Sequence, residues 1–145
     1  MQTTDGLLHC LEAQLAPSLE ILRQMVALNS HTLNREGVRR LGELTVRTFA
    51  ELGFRPEFVP SDNPEFADHL ILTRAGTGPD HVGFISHLDT VFSVEEESRN
   101  NFHWRIEGDR IHGPGTEDVK GGTVMMLMVL AALRETAPEV FARTH

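Results

Sequence analysis

Four apolar residues in a row, Val82-Gly83-Phe84-Ile85, run straight into the polar sequence Ser86-His87-Leu88-Asp89-Thr90. This junction constrains the fold more than any other feature. A strand that is apolar on both faces belongs to a sheet covered on both sides, so the segment predicts an α/β architecture with helices flanking a mixed β-sheet. In such sheets ligands gather where strands end and loops begin, which draws attention to the polar residues that follow Ile85.

The rest of the chain supplies the flanking elements. Leu11, Leu15, Leu19, Leu22 and Val26 recur at helical spacing, with Pro17 predicting a kink or the start of a second helix. A further helix is expected from Asn34 to Leu52, with Val38, Leu41, Thr45, Phe49 and Leu52 on its buried stripe and Gly53 as its stop. Phe54 to Val59, His69 to Thr73 and His81 to Ser86 read as strands, separated by turn-forming runs at Ser61 to Pro64 and Gly76 to Pro79. Segments His103 to Ile106 and Arg110 to His112 flank Glu107, Gly108 and Asp109, as in a hairpin. The apolar run Val124 to Leu133 is shorter than the roughly 20 residues a membrane span needs, and predicts a buried helix beginning near Lys120.

With 145 residues and 40% apolar content, the chain is expected to form one domain or a piece of one. Its formal charge of −8, without a Lys/Arg cluster, argues against nucleic acid or an anionic membrane as partner and favours a small molecule or peptide. Cys10 is the single cysteine, and no secretion signal is visible, so a cytoplasmic location is expected.

In an extended exit from the strand, His87 and Asp89 project to the same side because side chains alternate with a period of two. An imidazole is a good zinc ligand, and a carboxylate that accepts its second N–H orients the ring and raises its basicity. Taken alone, the pair also suits a partly buried, satisfied histidine beside a turn residue. A Ser86/His87/Asp89 triad fits poorly, since Ser86 and His87 face opposite ways.

The second cluster, Gly113-Pro114-Gly115-Thr116-Glu117-Asp118-Val119-Lys120-Gly121-Gly122, leads into the apolar helix. Its glycines permit unusual dihedrals or close approach, and Asp118 arrives at the helix start either as a cation ligand or as a simple N-cap. Phosphate-loop patterns fail here, because Lys120 precedes Gly121 and no third glycine stands where a dinucleotide site needs it. Together the clusters provide an imidazole, its supporting carboxylate and a second carboxylate.

Taken in order, His87 to Val91 followed by Gly113 to Gly122 closely resembles the zinc metallopeptidase family of glutamate carboxypeptidase, acetylornithine deacetylase, succinyl-diaminopimelate desuccinylase and aminoacylase. The likeness extends to the two leading helices, to Leu52-Gly53-Phe54 and to the stretch from Phe102 to Gly113. The resemblance implies a zinc-dependent exopeptidase fold and a two-zinc site in which cobalt can substitute. His87 would ligate one zinc, Asp118 would bridge both and precede a cis peptide to Val119, and Asp89 would orient His87 as a catalytic residue. Implied substrates are peptides or N-acyl amino acids, with a slight tilt to the carboxypeptidase branch.

The family's remaining ligands, its Glu-Glu pair and its smaller dimerisation and lid domain have no counterpart in the chain. Residues 1–145 are therefore expected to form the N-terminal part of a catalytic domain, inactive by itself, whose complete form can be a homodimer. The alternative is a non-catalytic remnant or interaction module. Glu95, Glu96 and Glu97 read as a solvated loop or helix start rather than as a substitute for the absent pair. Met125, Met126 and Met128 are expected to pack in the buried helix, Trp104 to pack in the hairpin, and the other histidines to be structural or superficial.

Overall fold

A computed structural model describes residues 4–145, with side chains from residue 6 onward. The elements in chain order are α1 (Thr4–Val26), α2 (Arg35–Ala50), β1 (Arg55–Val59), β2 (His69–Thr73), α3 (Val94–Arg99), β3 (Arg105–Glu107), β4 (Arg110–His112), α4 (Lys120–Thr136) and α5 (Pro138–Arg143). The fold is a mixture of helices and small antiparallel sheets.

Helix α4 organises the core. Val124 joins Leu22, Met25 and Val26 of α1 and Leu41 of α2 in one apolar cluster, while Leu127 and Leu130 join Phe49, Leu52 and Phe141 in a second. Each fully buried side chain of this size contributes about 1.5–3 kcal/mol, so the helix that reaches both clusters anchors the segments around it. Pro17 lies inside α1 without dividing it, so of the two expectations a second helix beginning there is not met. The helix is held from its neighbours by Cys10, Ser18, Leu22, Met25 and Val26, and Leu15, placed on the stripe by spacing, is half exposed.

Helix α2 begins as its sequence predicts. The Asn34 side chain accepts a hydrogen bond from the Gly37 amide at 3.0 Å, and Val38, Leu41, Thr45 and Phe49 face inward. Gly53, with φ of 82°, then turns the chain into β1. Strands β1 and β2 pair antiparallel from Arg55 with Thr73 to Val59 with His69. Strands β3 and β4 form the expected hairpin, with Gly108 at φ 62° in its turn.

The third expected strand does not form. Val82 donates to the His145 carbonyl at 3.0 Å and His145 donates back to Asp80 at 2.8 Å, but residues 83–88 make no backbone-to-backbone hydrogen bond among the described residues. Val82, Phe84 and Ile85 are exposed, Ile85 at 92%. An apolar run becomes a strand only when a neighbour takes its N–H and C=O groups, and here β1 and β2 take each other's. The single helix-covered sheet is thus replaced by two separate two-stranded sheets. The closing residues form the short helix α5 before His145 reaches Asp80 and Val82.

Met125 is 65% exposed rather than packed, because the inward face of α4 is set by Thr123, Val124, Leu127 and Leu130. Trp104 does pack, against the first apolar cluster. No helix among the described residues is long and apolar enough to cross a membrane.

Candidate metal centre

The exit of the apolar segment is fixed by the loop between α1 and α2. Thr90 donates its amide to the Ser30 carbonyl at 2.8 Å and accepts from the Thr32 amide at 3.1 Å, giving a parallel bridge between His31 and Thr90. This holds Leu88 to Thr90 extended, and His87 and Asp89 come to the same side, as the period of two requires. His87 Nδ1 lies 3.0 Å from the Asp89 carbonyl oxygen and 3.4 Å from Asp89 Oδ1.

The other ring nitrogen meets the second motif. His87 Nε2 stands 2.9 Å from Asp118 Oδ1, across 31 residues of sequence. Asp118 is not a helix cap: α4 has Val119 at its N-cap and no side-chain cap bond, and the Asp118 side chain is 86% exposed. Among the described residues its side chain pairs with His87. The peptide between Asp118 and Val119 is cis.

Burial pulls the His87 imidazole down, but the hydrogen bonds to Asp118 and to the Asp89 carbonyl, with the charges of both carboxylates, outweigh it and hold the pKa above its ordinary value. A ring that donates from Nδ1 to a carbonyl leaves Nε2 either protonated toward Asp118 or free to bind a cation. That donor set, one imidazole nitrogen and one carboxylate oxygen with the ring's far side oriented by a carbonyl and a carboxylate, fits zinc in kind. In number it falls short: no group of three or more His, Cys, Asp or Glu side chains converges on one point among the described residues. Two ligand atoms on one tetrahedral zinc stand roughly 3.3 Å apart for bonds of about 2.0–2.1 Å. The observed separation is a few tenths of an ångström from that.

Behind the motif loops lies a residue to which the sequence assigned no role. Lys120 is 2% exposed, and its Nζ donates to the Leu28 carbonyl at 2.9 Å. Burial pushes its pKa down to about 8, partly offset by the Glu97 charge. The aliphatic stem fills the space beneath Gly115, where an added Cβ would lie 2.9 Å from Lys120 Cδ and 3.1 Å from Thr90 Cγ2. Of the acidic run, Glu96 forms a capping box with Ser93, in keeping with a helix start. Glu97, expected in solvent, turns inward instead, and burial raises its pKa. Thr32 was also missed; its hydroxyl donates to Asp89 Oδ2 at 2.5 Å from 57 residues away, so no local motif could carry the signal.

His87, Asp89 and Thr32 stand at one end of a cleft of about 700 Å³ lined by the exposed apolar segment, β2, α4 and α5. A smaller cavity of about 440 Å³ between α1, α2 and α4 holds none of the motif residues.

Residues 83–141 match the model of Peptidase family M20/M25/M40, a span that begins in the apolar segment and contains both motifs. Carboxypeptidase G2 of Pseudomonas sp. (strain RS-16) is 29% identical over 117 residues, covering 81% of this chain and 28% of that protein. Succinyl-diaminopimelate desuccinylase of Sphingopyxis alaskensis is 29% identical over 116 residues, covering 79% of this chain and 30% of the relative. The enzyme of the same name from Gluconobacter oxydans is 33% identical over 87 residues, covering 60% of this chain and 21% of its own length. The resemblance drawn from the two motifs therefore stands, and the chain is similar to this metallopeptidase family over part of its length. It spans less than a third of the length of each of these relatives.

Proposed function

We propose that this chain carries the front part of the catalytic domain of a two-zinc amide hydrolase, with the zinc-dependent exopeptidase fold, acting on peptides or N-acyl amino acids. In this reading His87 would ligate one zinc, Asp118 would bridge the two, and Asp89 would orient His87. The observation that carries it is the convergence of His87 Nε2 and Asp118 Oδ1 at 2.9 Å while Asp89 secures the ring from behind. Zinc held there would supply Lewis acidity toward an amide carbonyl and acidify a water near neutral pH. The chain's own contribution is to hold the imidazole in one orientation and to keep a carboxylate beside it, unsequestered by helix capping.

With two ligand side chains against the three or four a zinc site uses, residues 1–145 alone bind metal weakly and do not turn over substrate. The working enzyme is a longer, cytoplasmic protein, able to form a homodimer and without nucleic-acid or membrane partners. Carboxypeptidase and deacylase activities share the carbonyl chemistry, and the relatives include proteins named carboxypeptidase and desuccinylase. A non-catalytic role as an interaction module is the second reading, favoured by the exposed apolar segment at Val82 to Ile85.

The test is to load the chain with zinc and offer it a panel of dipeptides and N-acyl amino acids, alongside a product of the coding frame extended past His145. Silence from the chain and zinc-dependent hydrolysis from the longer product support the proposal. Turnover by residues 1–145 that disappears in Asp118→Ala contradicts the incompleteness of the site. A stop codon directly after His145, with no activity, moves the balance to the non-catalytic reading.

A further inference from the structure

The loop between α1 and α2 touches both motif loops. At one end the Leu28 carbonyl accepts from Lys120 Nζ at 2.9 Å, two residues beyond Asp118. At the other, Thr32 Oγ1 donates to Asp89 Oδ2 at 2.5 Å, and the backbone of Ser30 and Thr32 brackets Thr90 from both sides. Residues 28–32 thus form a strut between the start of α4 and the exit of the apolar segment. Its Asp89 end is the sharper contact, since a hydroxyl-to-carboxylate bond of this length is charge-assisted and a threonine side chain is stiff at χ1.

Asp89 has its carboxylate oxygens divided between two tasks. Oδ2 takes the Thr32 hydroxyl, and Oδ1 lies 3.4 Å from His87 Nδ1, adding its charge beside the hydrogen bond of 3.0 Å that this nitrogen makes with the Asp89 backbone carbonyl. Rotation of the carboxylate about its χ2 bond would move both oxygens together, so a fixed donor on Oδ2 fixes what Oδ1 presents to the imidazole. From this arrangement we infer that Thr32 is a positioning residue of the metal site, holding the Asp89 carboxylate so that Asp89 in turn fixes the ring through which His87 meets a cation. This inference rests on the reading of His87 and Asp118 as metal ligands.

Zinc affinity of the full chain, measured by competition with a chromophoric chelator, and the visible absorption of bound cobalt(II) test it without reference to turnover. Thr32→Val keeps the shape of the side chain and removes its donor, and is expected to weaken zinc binding about 10-fold, the lower end of the range for groups that orient a metal ligand. Thr32→Ser restores the donor and should return both the affinity and the cobalt spectrum. In an Asp89→Ala background, Thr32→Val should cause no further loss, which a general effect on folding would not reproduce. Wild-type affinity in Thr32→Val, or an undiminished further loss in the Asp89→Ala background, overturns the inference and leaves the metal site standing. Zinc binding indifferent to His87→Ala and Asp118→Ala overturns the metal reading, and this inference with it.

Discussion

His87 stands between two acceptors, and its protonation state governs what the site can hold. Burial disfavours the imidazolium, yet the Asp118 hydrogen bond, the Asp89 carbonyl and both carboxylate charges raise the pKa on balance. The folded value therefore lies above the unfolded one. The contribution to stability is fully present below the unfolded pKa, near 6.5 for an ordinary histidine, and is lost as pH rises through the folded value. The stability difference between the metal-free chain and His87→Ala, followed by thermal unfolding, is expected to shrink across that window. If His87 ligates zinc as proposed, the ion competes with the same proton, and zinc affinity should rise with pH over the window, which titrations at several pH values check. The pairing of His87 with Asp89 was legible in the sequence because two residues apart in an extended chain means one side. Whether Asp118 was a cap or a free carboxylate was not legible, since that depends on where α4 begins. Thr32 carried no signal at all, being local to a different loop.

Among the elements, the glycine-rich turn before α4 has the least tolerance. Gly115 has φ of 79°, and a Cβ there would press on the Lys120 stem at 2.9 Å. Gly115→Ala should cost about 1–2 kcal/mol in chemical unfolding, and Asp118 should be displaced relative to His87. At Gly121 a Cβ would run into the Thr116 carbonyl oxygen, a backbone atom that cannot swing aside, so Gly121→Ala should be the more damaging of the two. Lys120→Ala would leave the half-buried Leu28 carbonyl without its donor and open a cavity under the turn, for an expected loss of about 2–3 kcal/mol. Helix α2 and the β3–β4 hairpin were readable because cap, stripe and turn residues are local. The segment from His81 to Ser86 was not, because a strand requires a partner that the run of apolar residues cannot specify.

For the molecule as a whole, the cleft of about 700 Å³ is lined in part by the exposed apolar segment. An unpaired extended run with Phe84 and Ile85 outward offers backbone and apolar groups to other chains. Concentration-dependent self-association is expected in light scattering, and Ile85→Lys, at a position 92% exposed, should reduce it without loss of helix content. The overall mixture of helices and sheet was readable from periodicity, and the family likeness from two linked motifs; the division into two small sheets was not, since it is set by which edges find partners. The proposed meeting of His87 and Asp118 on a metal ion can be followed in a zinc titration by NMR of the ring nitrogens of all 8 histidines. His87 should respond first, with Nε2 losing its proton character, and the response should vanish in Asp118→Ala; an unchanged His87 while other histidines shift would contradict the metal site.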